Sequence, residues 1–473
     1  IQSAGGAGMV LADWMDRGEA PIDLWDVDIR RMQPFQANRS YLQSRVSETL
    51  GLLYADHFPY RQFASARGVR RSPIHSQLEA EGACFGEASG WERANWFLPK
   101  AAKDAGKKAE YDYSWRRQNW FEYSAAEHMA VRQKVGMFDM SSFGKIKLIG
   151  RDAEAVLQRI AANDVAVPVG KIVYTQFLNS EGHIEADVTI TRLGADEFLI
   201  VTPAATIRRD LHWIKGHIPD SSHAIAVDIS VSESVFVVMG PDARSFLQPL
   251  IPQSLENKDF PFGTMQPIEI GHAIARAHRV SYVGELGWEL YVSADMSAHV
   301  FETIAARRKD HPLAMCGLHA LDSCRIEKGF RHFGHDISNE DHVLEAGLGF
   351  AVKENKQPGK FGPMIGADAV KAKRNDGLSQ RLMQFRLEDP DPLLYHNEAI
   401  YRDGVVIGYL TSGNYGHHLG GAIGLGYVKC SAVGETAEAQ LNAHYQIDVA
   451  GKLVDADVSL RPFYDPKALQ VKL

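Results

Sequence analysis

The chain has 473 residues, 45% of them hydrophobic and 23% charged, with a net charge of −8. That length supports two to four domains, each with its own core, and the acidic balance argues against a general attraction to nucleic acid or to an anionic membrane surface. No apolar run is long enough to span a bilayer, and Cys84, Cys316, Cys324 and Cys430 form no CxxC pair and read as reduced, packed thiols.

The opening stretch IQSAGGAGMVLADWM predicts a glycine-rich turn, at Ser3, Gly5, Gly6 and Gly8, feeding a helix over 9–18. An acidic-aromatic run (PIDLWDVDIRR) follows, then a segment rich in Arg and aromatics to about residue 97. LPKAAKDAGKKAEY at 98–111 is polar and weakly periodic, and is expected to be a linker or exposed excursion. KIKLIGRDAEAVLQRI (145–160) and SVFVVMGPDARSFLQPL (234–250) are two versions of one unit, an apolar strand, G-x-D-A and a helix. Asp152 and Asp242 are expected to cap those helices, and the duplication predicts two related α/β subdomains. ADVTITRL and EFLIVT predict a hairpin. RVSYVGELGWELYV predicts strand, turn, strand, and DMSAHVFETIAARR a helix capped by Asp295. From 380 onward, short strands with Gly-rich turns (AIYRDGVVIGYLTSGNYG, GAIGLGYVKC) predict a small β-barrel or sandwich.

No Walker loop, zinc-spaced Cys/His set or G-x-S-x-G elbow is present, and the spacing of His332, His335 and His342 matches no common ligand set. Three polar clusters stand among apolar residues. Asp187 lies near Tyr174 and Asn179, Glu289 between Trp288 and Tyr291 with Tyr282 before them, and Arg325 on a predicted helix. A carboxylate among large apolar residues must be paired or functional. Each alone reads more readily as a structural ion pair or cap than as a site. Together, two acids and an Arg among aromatics suit a flat, nitrogen-rich ligand with an anionic tail, a description that fits a reduced folate.

Residues from about 115 to 465 resemble the aminomethyltransferase (T-protein) family of the glycine cleavage system. The resemblance is carried by VGMFDMSSFGKIKLIG, ANDV, YTQFLN, GPDAR, YVGELGWELYV, GLHALDSCRIEKG and YRDGVVIGYLTSG. SPIHSQLEAEGACFGEASGWERANWF resembles the middle domain of dimethylglycine and sarcosine dehydrogenases, and the opening stretch their last flavin-contacting turn and helix. The resemblance implies an α+β chain, with a flavin-domain tail at 1–31, a dehydrogenase middle domain at 32–97, a folate-binding domain at 98–375 and a β-rich domain at 376–473. It implies capture of a methylene from an oxidised N-methyl amino acid on tetrahydrofolate, giving 5,10-methylenetetrahydrofolate. FAD would be bound only with a flavin domain that this chain lacks.

By motif position, Asp187 resembles the catalytic acid, and Tyr174, Tyr282, Glu289 and Arg325 resemble folate-site residues. Ser3, Gly5, Gly6 and Gly8 would face the flavin. Ala186 and Leu321 depart from the T-protein pattern and put a lipoyl-carrier substrate in doubt. The alternatives are a stand-alone transferase or demethylase, and a non-catalytic scaffold like the regulatory subunit of pyruvate dehydrogenase phosphatase. Cytoplasm, if bacterial, or mitochondrial matrix, if eukaryotic, is the compartment expected, with no nucleic-acid or membrane partner.

Overall fold

The computed structural model describes residues 3–473. Ile1 and Gln2 of the opening stretch lie outside the described residues. The expected glycine turn is instead helix: α1 runs from Ala4 to Arg17, and Ala7 N donates to Ser3 O at 2.8 Å. Each glycine costs a helix about 1 kcal/mol relative to alanine. The following run nevertheless has no breaker until Gly18, where a φ of 77° caps the helix on Trp14 O.

Helix α2 (Arg39–Leu52) is capped by Asn38, whose side chain accepts from Ser40 N and Tyr41 N. Helix α3 (His75–Ala80) leads into a hairpin of β1 (Ala83–Ala88) and β2 (Trp91–Phe97). The 98–111 excursion holds the short α4 (Lys100–Asp104) and is pinned by Leu98, Ala102 and Tyr111 against Trp96 and Trp120. Helix α5 (Phe121–Gln133) closes this region.

Two repeats follow. The first comprises β3 (Gly136–Asp139), β4 (Gly144–Ile149), α6 (Ala153–Ile160), β5 (Ile172–Leu178), β6 (Ile184–Gly194), β7 (Glu197–Thr202) and α7 (Ile207–Gly216). The second comprises β8 (Ile225–Asp228), β9 (Glu233–Met239), α8 (Ala243–Leu247), β10 (Met265–Ile270), β11 (Ala273–His278), β12 (Gly287–Ser293) and α9 (Ser297–Arg307).

The sheets run β5-β6-β7-β4-β8 and β10-β11-β12-β9-β3, the latter extended by β13 (Ala314–Met315). Each repeat therefore lends its leading strand to the other's sheet. The exchange is sealed twice over: Ser230 Oγ accepts from Lys145 N at 3.0 Å and Ser141 Oγ from Val235 N at 3.1 Å. Asp139 and Asp228 hold those serines by accepting from Ser141 N and Ser230 N.

The strand-to-helix turns match as closely. Gly150 and Gly240 have φ of 134° and 138°, and a Cβ would come within 2.1 Å of His223 O and 2.2 Å of Lys134 O. Gly240→Ala should therefore destabilise the fold by about 1–3 kcal/mol, read as a lowered guanidinium midpoint. Gly8→Ala, with nothing within 4 Å of its Cβ, should instead stabilise by up to about 1 kcal/mol.

Three expectations about local structure are corrected. Asp152 and Asp242 occupy the N-cap positions but make no side-chain cap bond. At φ −101° and ψ 4°, Asp152 turns its carboxylate instead to His223 N and Lys360 Nζ, at 2.8 and 2.9 Å. Asp295 lies within a 3₁₀ turn (Ala294–Met296), and α9 begins after it. Residues 279–286 form no strand: Ser281 Oγ accepts from Gly284 N and Glu285 N, and Gly284 takes a φ of 88°, which bends the chain into a loop before β12.

Alternation along the strands divides the core. On β7, Phe198 and Ile200 pack outward under α6 and α7, whereas Leu199 and Val201 face inward. On β9, Phe236 and Val238 face outward and Val235 and Val237 inward. The inner faces of the two sheets share one core, completed by Leu321 and Cys324 of α10 (Leu318–Glu327). After α11 (Ala367–Asp376) the chain closes a six-stranded barrel. Its strands are β14 (Gln380–Leu387), β15 (Ala399–Arg402), β16 (Val405–Gly416), β17 (Gly421–Lys429), β18 (Tyr445–Val449) and β19 (Lys452–Ser459). No helix among the described residues is long and apolar enough to cross a membrane.

Candidate functional site

The same alternation builds the site. On β6, Ala186 and Val188 belong to the outer core, so Asp187 points inward. On β12, Trp288 and Leu290 belong to the outer core of the second sheet, so Glu289 points inward as well. Both line a single cavity of about 2110 Å³ with Tyr174, Tyr282 and Arg325. The five residues expected to bind folate or act on it thus meet in one place. Ser3, Gly5, Gly6 and Gly8 do not join them. They lie on the exposed start of α1, outside the cavity that those five residues line.

Asp187 sits directly opposite Gln176 of β5, whose Nε2 donates to Asp187 Oδ1 at 2.8 Å. Burial pushes the Asp187 carboxyl up to about 6, against the hydrogen bonds of Gln176 and Tyr174 and the charge of Arg331. The Tyr174 ring stacks against Phe350 with centroids 6.1 Å apart. Glu289 accepts from Tyr291 Oη at 2.9 Å, and burial raises its carboxyl to about 7. Tyr282 donates to Arg331 O at 2.9 Å and lies parallel to Phe330, with centroids 6.0 Å apart.

Arg325 is committed to the protein. Its Nε donates to Asp322 Oδ1 at 2.7 Å, Nη1 to Asp336 Oδ2 at 2.6 Å and Nη2 to Ser412 Oγ at 3.0 Å. It clamps α10 to the barrel. Burial opposes ionisation of Asp322, but the charges of Arg325 and His332 outweigh it and hold the carboxyl at about 2. A fixed carboxylate thus reaches the cavity through Asp322. Asp322, Gln176 and Arg331 were not placed in the site from the sequence. The signals were present: Gln176 lies two residues after Tyr174, on the same strand face, and Asp322 stands at i,i−3 from Arg325 on a helix.

The arrangement fits a pterin. Two inward carboxylates, both raised by burial, line one cavity with the Tyr174–Phe350 and Tyr282–Phe330 ring pairs. A carboxylate can accept from two adjacent ring N–H groups, and a second can hold positive charge or take a proton from a ligand nitrogen.

Family models describe the same span. The GCVT N-terminal domain matches residues 74–356 and the glycine cleavage T-protein C-terminal barrel domain residues 380–465. The FAD dependent oxidoreductase central domain matches residues 17–72. The chain is 41% identical to the 4-methylaminobutanoate oxidase (formaldehyde-forming) of Paenarthrobacter nicotinovorans, over 99% of this chain and 55% of that protein. It is 31% identical to human mitochondrial sarcosine dehydrogenase, over 99% of this chain and 54% of that protein. The chain spans about half the length of these curated relatives. The fold matches the crystal structure of glycine cleavage system aminomethyltransferase T from Bartonella henselae with a TM-score of 0.69 at 21% identity, covering 84% of this chain and 99% of that one.

Proposed function

We propose that this chain, which belongs to the glycine cleavage T-protein family, is the folate-binding, one-carbon-capturing part of a demethylating oxidoreductase. The observation that carries the reading is the convergence of Asp187 and Glu289 from two exchanged sheets onto one aromatic-lined cavity. The relatives named for oxidising N-methyl amines supply the substrate class, an N-methylated amino acid whose methyl leaves as a one-carbon unit. Tetrahydrofolate, when bound, supplies the nucleophilic nitrogen that receives that unit.

The chain's own residues supply the rest. Glu289 accepts from the pterin edge and fixes its register, while Tyr174 and Tyr282 line the cavity around the ring. Asp187 stands over the reacting nitrogen, offsets developing positive charge and accepts a proton. Gln176 and Tyr174 hold its carboxylate in place. Arg325 acts through Asp322 and Asp336, keeping that wall of the cavity rigid.

Anaerobic calorimetry with tetrahydrofolate tests this. Binding should be saturable, and Glu289→Gln should weaken it about 10- to 100-fold, the worth of a charge-assisted pair of hydrogen bonds. The ionised form of Glu289 is the one that binds, and its value in the free protein is about 7. Affinity should therefore fall as pH drops through 7, with proton release on binding at pH 6. The Glu289→Gln variant should lose that dependence. A folded chain that binds no reduced folate overturns the reading.

A further inference from the structure

The cavity is larger than one pterin needs. At about 2110 Å³ it exceeds the roughly 300–1,000 Å³ of a small-molecule site. Helix α10 orders its two ends. His319, Asp322 and Arg325 face it at i, i+3 and i+6, a span of ~9 Å along the axis. The Arg325 end belongs with Tyr282, Arg331 and Asp187. The His319 end belongs with the N-terminal hairpin: Tyr111 Oη lies 3.4 Å from His319 Nε2 and accepts from Asn95 Nδ2 at 2.6 Å.

Beside Asn95, in the GWERANWF stretch of β2, stands Arg93. Its side chain lines the cavity, its Nε is buried without a hydrogen-bond partner, and its guanidinium makes no ion pair among the described residues. Glu87, the carboxylate whose field reaches it, is already engaged by Arg45 Nη1 at 3.3 Å and by Gly90 N at 2.5 Å. Burial without a counter-ion lowers its value to about 10. The neighbouring Arg67, by contrast, is paired with Glu92. A half-buried guanidinium with an orphaned Nε and no counter-ion is stabilised when an anion arrives to pair with it.

We propose that Arg93 anchors the carboxylate of a bound ligand at the end of the cavity opposite Asp187. The carboxylate has two sources, the glutamyl tail of a reduced folate whose ring occupies the Asp187 end, or a separate amino acid. The first source rests on the folate reading above; the anion site itself does not.

Calorimetry on the full chain separates the cases, using tetrahydrofolate, a tail-less tetrahydropterin and sarcosine as probes, with Arg93→Gln and Arg93→Lys variants. If the tail is the ligand, Arg93→Gln weakens tetrahydrofolate about 10- to 100-fold, the worth of a charge-assisted contact. The tail-less pterin is then unchanged, and Arg93→Lys recovers part of the loss. If the amino acid is the ligand, sarcosine binding is lost and both pterins are unchanged. Unaltered affinity for both carboxylate probes, in a variant with the wild-type thermal midpoint, overturns the proposal. A misfolded Arg93→Gln hands the same decision to Arg93→Lys, which keeps the charge but not the bidentate fork. Failure of both pterins to bind the wild-type chain defeats the folate reading and leaves the sarcosine arm to decide on Arg93.

Discussion

Replacing Asp187 with asparagine should slow one-carbon capture by about 10²- to 10⁴-fold, the range for removing a positioned acid–base group. Folding and reduced-folate affinity should stay close to wild type. Asparagine keeps the shape of the side chain and can still accept from Gln176 Nε2, 2.8 Å away in the wild type. What it loses is the negative charge and the capacity to take a proton. The pH profile separates this role from a structural one. Burial raises the Asp187 carboxyl to about 6, so the wild-type rate should climb through pH 6 and level off above it, where the carboxylate is ionised. The asparagine variant should be flat across the same window. The readout is the formation of 5,10-methylenetetrahydrofolate above its spontaneous formation from formaldehyde and tetrahydrofolate. An asparagine variant that turns over normally would remove Asp187 from the chemistry, and one that fails to fold would make it a structural acid.

The repeat that places this acid was half legible in the sequence. The G-x-D-A words at 150–153 and 240–243 gave the matched turns, because a strand entering a helix so tightly requires glycine where the backbone crosses its neighbour. The strand exchange was not legible. Its signal, Asp139-x-Ser141 and Asp228-x-Ser230, is two polar residues per repeat, and only the cross-sheet bonds from Lys145 N and Val235 N give it meaning. Asp187 and Glu289 could be picked out as candidates because each is flanked by large or small apolar residues on a strand. Arg93 and Asp322 were passed over because they lie among other charges, where sequence cannot tell a satisfied group from an orphaned one. The Asp152 cap failed for a related reason. The residue type and position were right, but Lys360, more than two hundred residues away, offered the carboxylate a better partner.

The largest stability effect should come from a site that sequence patterns did not disclose. Arg132 on α5 uses all five of its donors inside the protein. Nη1 donates to Val283 O at 2.6 Å and to Glu285 Oε1 at 2.9 Å, and Nη2 to Cys324 O and Glu327 Oε2, each at 3.0 Å. Nε donates to Glu327 Oε2 at 3.2 Å. The three charged side chains are fully buried. Glu327 Oε1 accepts in turn from His418 N and Leu419 N on the barrel, at 2.9 and 3.1 Å.

Arg132→Met should cost about 3–5 kcal/mol, because it leaves two carboxylates buried without their counter-ion. Arg132→Lys should recover only part of this, since an ammonium cannot reach both acids and two carbonyls at once. Adding Glu285→Leu and Glu327→Leu to Arg132→Met should restore much of the midpoint. The pH dependence has a definite sign. Burial works against the Glu327 carboxylate, but His128 and Arg132 prevail and hold it at about 2, below its ordinary 4.5. Its contribution is therefore complete above pH 4.5 and fades as pH falls toward 2. The deficit of Arg132→Met in guanidinium unfolding should be full at pH 7 and smaller at pH 4, and a deficit that does not change between them would deny the network its electrostatic role. Because Glu327 ends the helix that carries Asp322 and Arg325, the same substitution should also weaken tetrahydrofolate binding. A stability loss with unchanged affinity would show that the barrel clamp at Arg325 alone fixes that wall of the cavity.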